Sequence, residues 1–334
     1  MIVIFDTNAY LYLADNKDNE TIRQRVNLLR SAETKYSEPI HALICDTVAQ
    51  ELLSHLKEPM SADDKSRFCA SQAMYFHCGD KKNYGLLPQI WVQLAKELVD
   101  FDYSRLINNQ IYVGRMLFQL SQLSSIEQMT TLNNEFKHNI NNIYYTIQET
   151  EQQFGILLQY IHDTWLRKNK SISKEQNKIN KALLKEYVEN EYALDIFMAS
   201  VIIMALQQAL YRDCQILLKP TIEMYELIVS QNKIPTEQFR SMIIGLKERS
   251  AIPQKGSRLN TIWDTLILFA AGKSIDGERI VLVSGDNKMI NAAKNVAEKE
   301  KRENKEVISY VEYMQTLQLE NLIPDVLKKG DSIV

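Results

Sequence analysis

The sequence is short of turn-forming residues. Of 334 residues only 10 are glycine and 7 are proline, well under the usual shares of about 7% and 5%. That excludes a collagen-like or low-complexity chain, and over this length it predicts long helices joined by few loops. Cysteine is scarce too: Cys45, Cys69, Cys78 and Cys214 include no CxxC pair, which excludes a zinc ribbon or a CxxC redox motif. His77 beside Cys78, with Cys69 upstream, resembles a metal-binding fragment, but free buried thiols in a reducing compartment are the favoured reading. A net charge of −3 excludes a uniformly basic coat for nucleic acid, though not local basic patches. The longest strongly apolar run, Ile196 to Tyr211, contains Gln207 and Gln208 and falls short of the about 20 residues that a membrane span needs. It reads as a buried helix. The first residues, Met1-Ile2-Val3-Ile4-Phe5-Asp6, carry neither a basic leader nor a small-residue cleavage site, so a cytoplasmic protein without a membrane partner is expected. With 45% hydrophobic and 24% charged residues the chain reads as globular, and its length suits about two domains.

The ends and the middle are patterned differently. Ile2 to Phe5 is a short apolar run suited to a strand covered on both faces. His41 to Cys45, Ile280 to Val283 and Val307 to Val311 are further strand candidates. Helices are predicted after Asp6, from Asp46-Thr47 (with Thr47 and Gln50 as a capping box), over Asn260 to Ala271 with Gly272 as its cap, and from Asn287 to about Asn304. Strand and helix therefore alternate at both ends, which predicts an α/β layer with a parallel sheet flanked by helices. Residues 61–249 show almost no strand pattern and are read as an all-helical insertion between 1–60 and 250–334. Within it Phe136, Ile140, Ile143, Ile147, Phe154, Leu158 and Ile161 form a heptad-like stripe along one long helix. A core face is the favoured reading; a homodimer or protein-partner contact is the alternative. Further helices are expected over 182–212 and 215–231, with Pro220 marking a break.

Four acids sit where strands end or helices begin. Asp6 and Asp286 directly follow apolar strands, and Glu51 and Asp264 fall in the opening turns predicted for two helices. In open α/β sheets, sites form outside the carboxyl ends of the strands. Each acid alone has a structural reading as a turn or helix cap. Together they converge on one rim and would repel one another without cations between them; Mg²⁺ or Mn²⁺ prefers such oxygen ligands.

The segments Ile2-Val3-Ile4-Phe5-Asp6-Thr7-Asn8, Asp46-Thr47-Val48-Ala49-Gln50-Glu51-Leu52-Leu53, Trp263-Asp264-Thr265-Leu266-Ile267-Leu268-Phe269-Ala270-Ala271 and Val281-Leu282-Val283-Ser284-Gly285-Asp286-Asn287-Lys288 together resemble the PIN-domain nucleases. The resemblance covers about 1–60 and 250–334. It implies a parallel sheet flanked by helices, one or two Mg²⁺ or Mn²⁺ ions held by Asp6, Glu51, Asp264 and Asp286, and hydrolysis of single-stranded RNA. Asn8 and Ser284 match accessory polar positions that orient the acids. The departure is the interval from Glu51 to Asp264, 213 positions where compact members have a few tens. Two basic clusters are candidates for tracking a phosphate backbone. One comprises Lys247, Arg249, Lys255 and Arg258. The other comprises Arg167, Lys168, Lys170, Lys174, Lys178, Lys181 and Lys185, opposed between 167 and 185 only by Glu175.

The resulting expectation is a metal-dependent ribonuclease of toxin, defence or RNA-processing type, with an antitoxin or other protein partner as one role for the insertion. The alternatives are a catalytically inactive scaffold of the same fold that binds RNA or protein, and a flap-type 5′-nuclease acting on DNA. A haloacid-dehalogenase-like phosphatase is disfavoured, because it needs an acid where Asn8 stands.

Overall fold

A computed structural model of the chain describes residues 1–57, 64–79, 86–87, 98, 111–170, 172–247, 261–275 and 277–328. Its centre is strand β1 (Ile2–Phe5), buried along its whole length. β1 runs parallel to β2 (His41–Ala42) on one side and, further along the chain, to the strand Glu278–Ser284 on the other. Ile44–Cys45 forms β3, which leaves this sheet and pairs in parallel with β4 (Leu86–Leu87). The single strand expected over His41 to Cys45 is therefore two. Leu43 marks the switch: its N–H still bonds Val3 O at 3.0 Å, after which the chain turns away. A short β5 (Ser274–Ile275) adds antiparallel to β6, the strand Glu278–Ser284, and β7 (Val307–Ser309) adds to β6 in parallel. The sheet is thus partly parallel and mixed, as an α/β layer, within a mostly helical chain.

Helices α1 (Thr7–Ala14), α2 (Asn19–Lys35), α3 (Asp46–Ser54) and α4 (Asp64–Cys78) follow the first strands. Among the described residues the middle then supplies α5 (Ile111–Ser121), α6 (Asn134–Leu166), α7 (Lys174–Glu189), α8 (Glu191–Cys214), α9 (Ile222–Gln231) and α10 (Lys233–Lys247). The end adds α11 (Thr261–Leu268), α12 (Asn287–Lys299), α13 (Tyr310–Thr316) and α14 (Asp325–Lys328). No helix among the described residues is long and apolar enough to cross a membrane.

The stripe on α6 is a core face: all seven of its residues are buried. It serves two cores. Phe136, Ile140, Ile143 and Ile147 join the main cluster, which also takes in β1, β6, α1, α4 and α5. Phe154, Leu158 and Ile161 join a second cluster with Leu194, Met198, Phe239 and Ile243. The apolar core therefore runs across the boundary expected near residue 61.

Other expectations shift for local reasons. The helix expected over 182–212 is broken at Asn190, whose extended backbone ends α7 while its side chain accepts from Ala193 N and starts α8. Pro220 precedes α9 rather than breaking a helix. The Thr47–Gln50 box does not form, because α3 already begins at Asp46 and Gln50 bonds the Asp46 carboxylate at 2.6 Å. α11 ends at Leu268, and the chain reaches Gly272 (φ 75°) through a turn; a side chain there would meet Glu306 Cγ at 2.7 Å. The strand from Val307 stops at Ser309, whose hydroxyl caps α13. Cys45, Cys69 and Cys78 are free and buried.

His77 faces Glu33 rather than forming a metal site with Cys69 and Cys78. His77 Nε2 lies 2.9 Å from the Glu33 carboxylate, Tyr313 OH donates to that carboxylate at 2.6 Å, and Tyr10 OH stands 3.0 Å from Cys78 Sγ. Burial alone would lower the imidazole, but the charge of Glu33 and the bonds to Cys78 and Glu33 outweigh it and push His77 up to about 10.

Candidate functional site

The register of the sheet places the first two acids. Phe5 pairs with Val283, so Asp6 lies level with Ser284, one step past the end of both strands. Asp6 N–H continues the ladder to Val283 O at 3.0 Å. Both Asp6 and Asp286 are also helix N-caps. Asp6 Oδ1 accepts from Ala9 N at 2.6 Å at the start of α1, and Asp286 Oδ1 accepts from Lys288 N at 2.6 Å at the start of α12. The structural reading of these residues is therefore correct, and it does not exhaust them, since a carboxylate has a second oxygen and further lone pairs.

Asp6 is 3% exposed and its carboxylate is held from three sides. Ser284 Oγ donates to Oδ2 at 2.5 Å, and Gly285 N–H reaches Oδ2 at 3.1 Å, in addition to the Ala9 contact. Ser284 is itself fully buried and accepts from Asp286 N at 2.9 Å, so one hydroxyl ties the two acids into a single turn. Gly285 is required by space: a Cβ there would meet Tyr12 Cε2 at 2.5 Å and Asn8 Cβ at 2.7 Å. Asn8, half-buried, thus packs directly against the turn between the two acids.

Glu51 stands in the second turn of α3, because the helix starts at Asp46. Thr7 Oγ1 donates to Glu51 Oε2 at 2.5 Å, binding it to the residue after Asp6. Asp264 lies in the first turn of α11, which packs against α3.

The electrostatics show that these acids share one field. Burial pushes Asp6 up to about 6, against the pull of Ser284, Ala9 and Gly285. Burial pushes Glu51 up to about 7, against the pull of the Thr7 hydroxyl and the positive charge of Arg67, with Asp6 and Glu151 adding to the rise. Asp264 is pushed up to about 8 by burial and then by the charges of Asp286, Glu51 and Asp6, with only Lys288 opposing among its main influences. Tyr12 is raised by burial and by Asp6 and Asp286. None of the four acids forms an ion pair among the described residues. Nor, among the described residues, do three or more His, Cys, Asp or Glu side chains close on a single point tightly enough to hold a metal ion.

Sequence reasoning missed Thr7, Tyr12 and Glu151. Thr7 and Tyr12 sit one and six positions after Asp6, and helix geometry from Asp6 onward would have drawn attention to them. Glu151 had no signal, because its proximity depends on how α6 packs.

Of the basic candidates, the stretch on and before α7 lies apart from this rim. Arg167 sits just past the end of α6, 16 positions beyond Glu151, hence roughly 24 Å along the helix. Arg167, Lys168, Lys170, Lys174 and Lys178 are exposed and form no ion pair among the described residues; Lys181 is half-buried, and Lys185 pairs with Glu189 at 3.6 Å. Lys247 ends α10, its side chain outside the described residues, and Arg249, Lys255 and Arg258 lie outside them altogether. Compared with protein-family models, curated proteins and solved structures, the chain has no match.

Proposed function

We propose that the chain is a metal-dependent nuclease of the PIN type that hydrolyses phosphodiester bonds in single-stranded RNA, with Mg²⁺ or Mn²⁺ at the acid rim. The observation that carries this reading is the mutual electrostatic influence of Asp6, Glu51, Asp264 and Asp286 without any cationic partner in an ion pair. A carboxylate buried among like charges is costly, and a hard divalent cation removes that cost with oxygen ligands alone. The donor set fits such an ion in kind, since all four side chains are carboxylates.

Asp6, Asp264 and Asp286 would hold the ion, with Glu51 supporting them. A bound divalent ion supplies Lewis-acid activation of water and neutralises charge developing on the phosphate. The remaining work belongs to the chain. Ser284, Gly285 and Ala9 fix the Asp6 carboxylate in orientation. Thr7 fixes Glu51, and Asn8 packs against the Gly285 turn that carries Asp286. The exposed Arg167 to Lys178 stretch would contact substrate backbone away from the cut bond.

The test is cleavage of end-labelled single-stranded RNA and DNA with Mg²⁺ or Mn²⁺, comparing wild type with Asp6→Asn and Asp264→Asn. Metal-dependent RNA cleavage lost in both variants supports the reading. Cleavage of DNA alone would favour the flap-type alternative, and tight binding without turnover would favour an inactive scaffold.

A further inference from the structure

Helix α6 belongs to the segment that the sequence sets apart as an insertion, yet one of its side chains reaches the acid rim. Glu151 Oε1 accepts the indole N–H of Trp263 at 3.0 Å, and Trp263 immediately precedes Asp264 on α11. Trp263 is 7% exposed, and Glu151 supplies the acceptor for its indole N–H. Gln148 Nε2 approaches the other Glu151 oxygen at 3.5 Å. Glu151 stands near enough to Glu51 to act on it as a like charge. A second tie joins α6 to the chain just after α3, where Lys57 Nζ lies 4.0 Å from the Tyr144 ring centre and 4.3 Å from that of Tyr145. Helix α6 therefore reaches α11, which carries Asp264, and packs along α3, which carries Glu51.

We infer that Glu151 is a positioning residue: by accepting the Trp263 indole N–H it fixes the first turn of α11 and so holds Asp264 toward Asp6, Glu51 and Asp286. The helical segment is then part of the site's framework. The consequence for cleavage rests on the nuclease reading; the consequence for Trp263 does not.

The experiment follows the indole N–H resonance of Trp263 in ¹⁵N-labelled full-length protein, identified by its loss in Trp263→Phe, together with kcat and KM on labelled RNA. Glu151→Gln keeps the acceptor, and both the resonance and kcat stay near wild type. Glu151→Ala moves the resonance and lowers kcat on the order of 10- to 100-fold with little change in KM, the scale of a displaced catalytic group. The double variant Glu151→Ala/Trp263→Phe loses no more than either single variant. Glu149→Ala, on the exposed side of α6, changes neither readout. An unmoved resonance in Glu151→Ala, or equal damage from Glu151→Gln and Glu151→Ala, overturns the inference. If wild type cleaves nothing, the nuclease reading fails alone, and the response of the resonance to Asp264→Asn decides. A response present in wild type and lost in Glu151→Ala upholds the positioning role, and its absence in wild type overturns it.

Discussion

The molecule holds two clusters of buried acid chemistry, one around Glu33 and one around Asp6 at the end of β1, and they are built on opposite principles. Around Glu33 every polar group faces a complement: His77 supplies positive charge, Tyr313 donates a hydrogen bond, and Tyr10 completes the set with Cys78. Around Asp6 the hydrogen bonds from Ser284, Ala9 and Gly285 do not offset the cost of burial, and the neighbouring acids add to the rise, with Lys288 at Asp264 and Arg67 at Glu51 offsetting only part of it. Burial of a carboxylate therefore says little about its role. The sign of what surrounds it says more: a paired acid holds a fold together, whereas an acid among acids is a candidate for function, here the proposed cation site.

Substitutions separate the two clusters most sharply. At the rim, Asp264→Asn removes a repelled charge. Its cleavage rate is expected to fall by at least about 10²-fold while the melting temperature in chelator stays level or rises. At the paired cluster, Glu33→Gln leaves a buried imidazolium without its counter-charge, at a cost of about 3–5 kcal/mol in urea unfolding. If both substitutions destabilised the fold alike, the contrast would collapse.

A smaller effect comes from the turn between the rim acids. Gly285→Ala forces a methyl group into Tyr12 and Asn8, with an expected loss of about 1–3 kcal/mol and reduced cleavage. Wild-type stability with unchanged cleavage would show that the turn relaxes freely.

The pH dependence has a definite sign. Asp6, Glu51 and Asp264 are raised to about 6, 7 and 8 in the folded chain, against about 4 when unfolded. Between those values the folded state binds more protons, so stability of the metal-free protein declines as pH rises from about 4 to 8. His77, raised to about 10, adds a decline of the same sign from about 6.5, complete once the pH passes about 10. Melting temperatures recorded against pH in chelator should show the first decline flattened in Asp264→Asn and the second flattened in Glu33→Gln.

The gentlest change concerns the exposed basic stretch. Replacing Lys168, Lys170, Lys174 and Lys178 by Gln is expected to weaken RNA binding and flatten its salt dependence, by about 0.7 in log–log slope for each phosphate no longer neutralised. An unchanged slope would remove that stretch from the substrate path.

The strand ends that carry Asp6 and Asp286 were legible in the sequence, the middle only in outline. Apolar runs ending in an acid, as at Phe5-Asp6 and Val283-Ser284-Gly285-Asp286, are local signals, and a parallel register brings such strand ends together without further information. The α6 stripe was legible because a helical period needs no knowledge of the partner. What escaped depends on packing between distant segments. The turn of the chain at Leu43, the antiparallel β5 and the reach of Glu151 to Trp263 have no periodic signature, and the Glu33–His77 pair joins residues 44 positions apart with nothing local to link them. Asn190 was overlooked because one residue ends a helix and starts the next, so the hydrophobic pattern passes through it almost without interruption.

The central claim is that the rim holds repelled carboxylates ready for a cation, and it is tested most directly by the thermal stability of wild type and Asp264→Asn at pH 8, each with chelator and with Mg²⁺ or Mn²⁺. The account predicts that wild type gains stability with metal, as any ligand of the folded state confers. It also predicts that Asp264→Asn starts at least as stable in chelator and responds weakly to metal. A wild type indifferent to both metals, together with an Asp264→Asn variant less stable than it, would contradict the account and leave the four acids as parts of the fold alone.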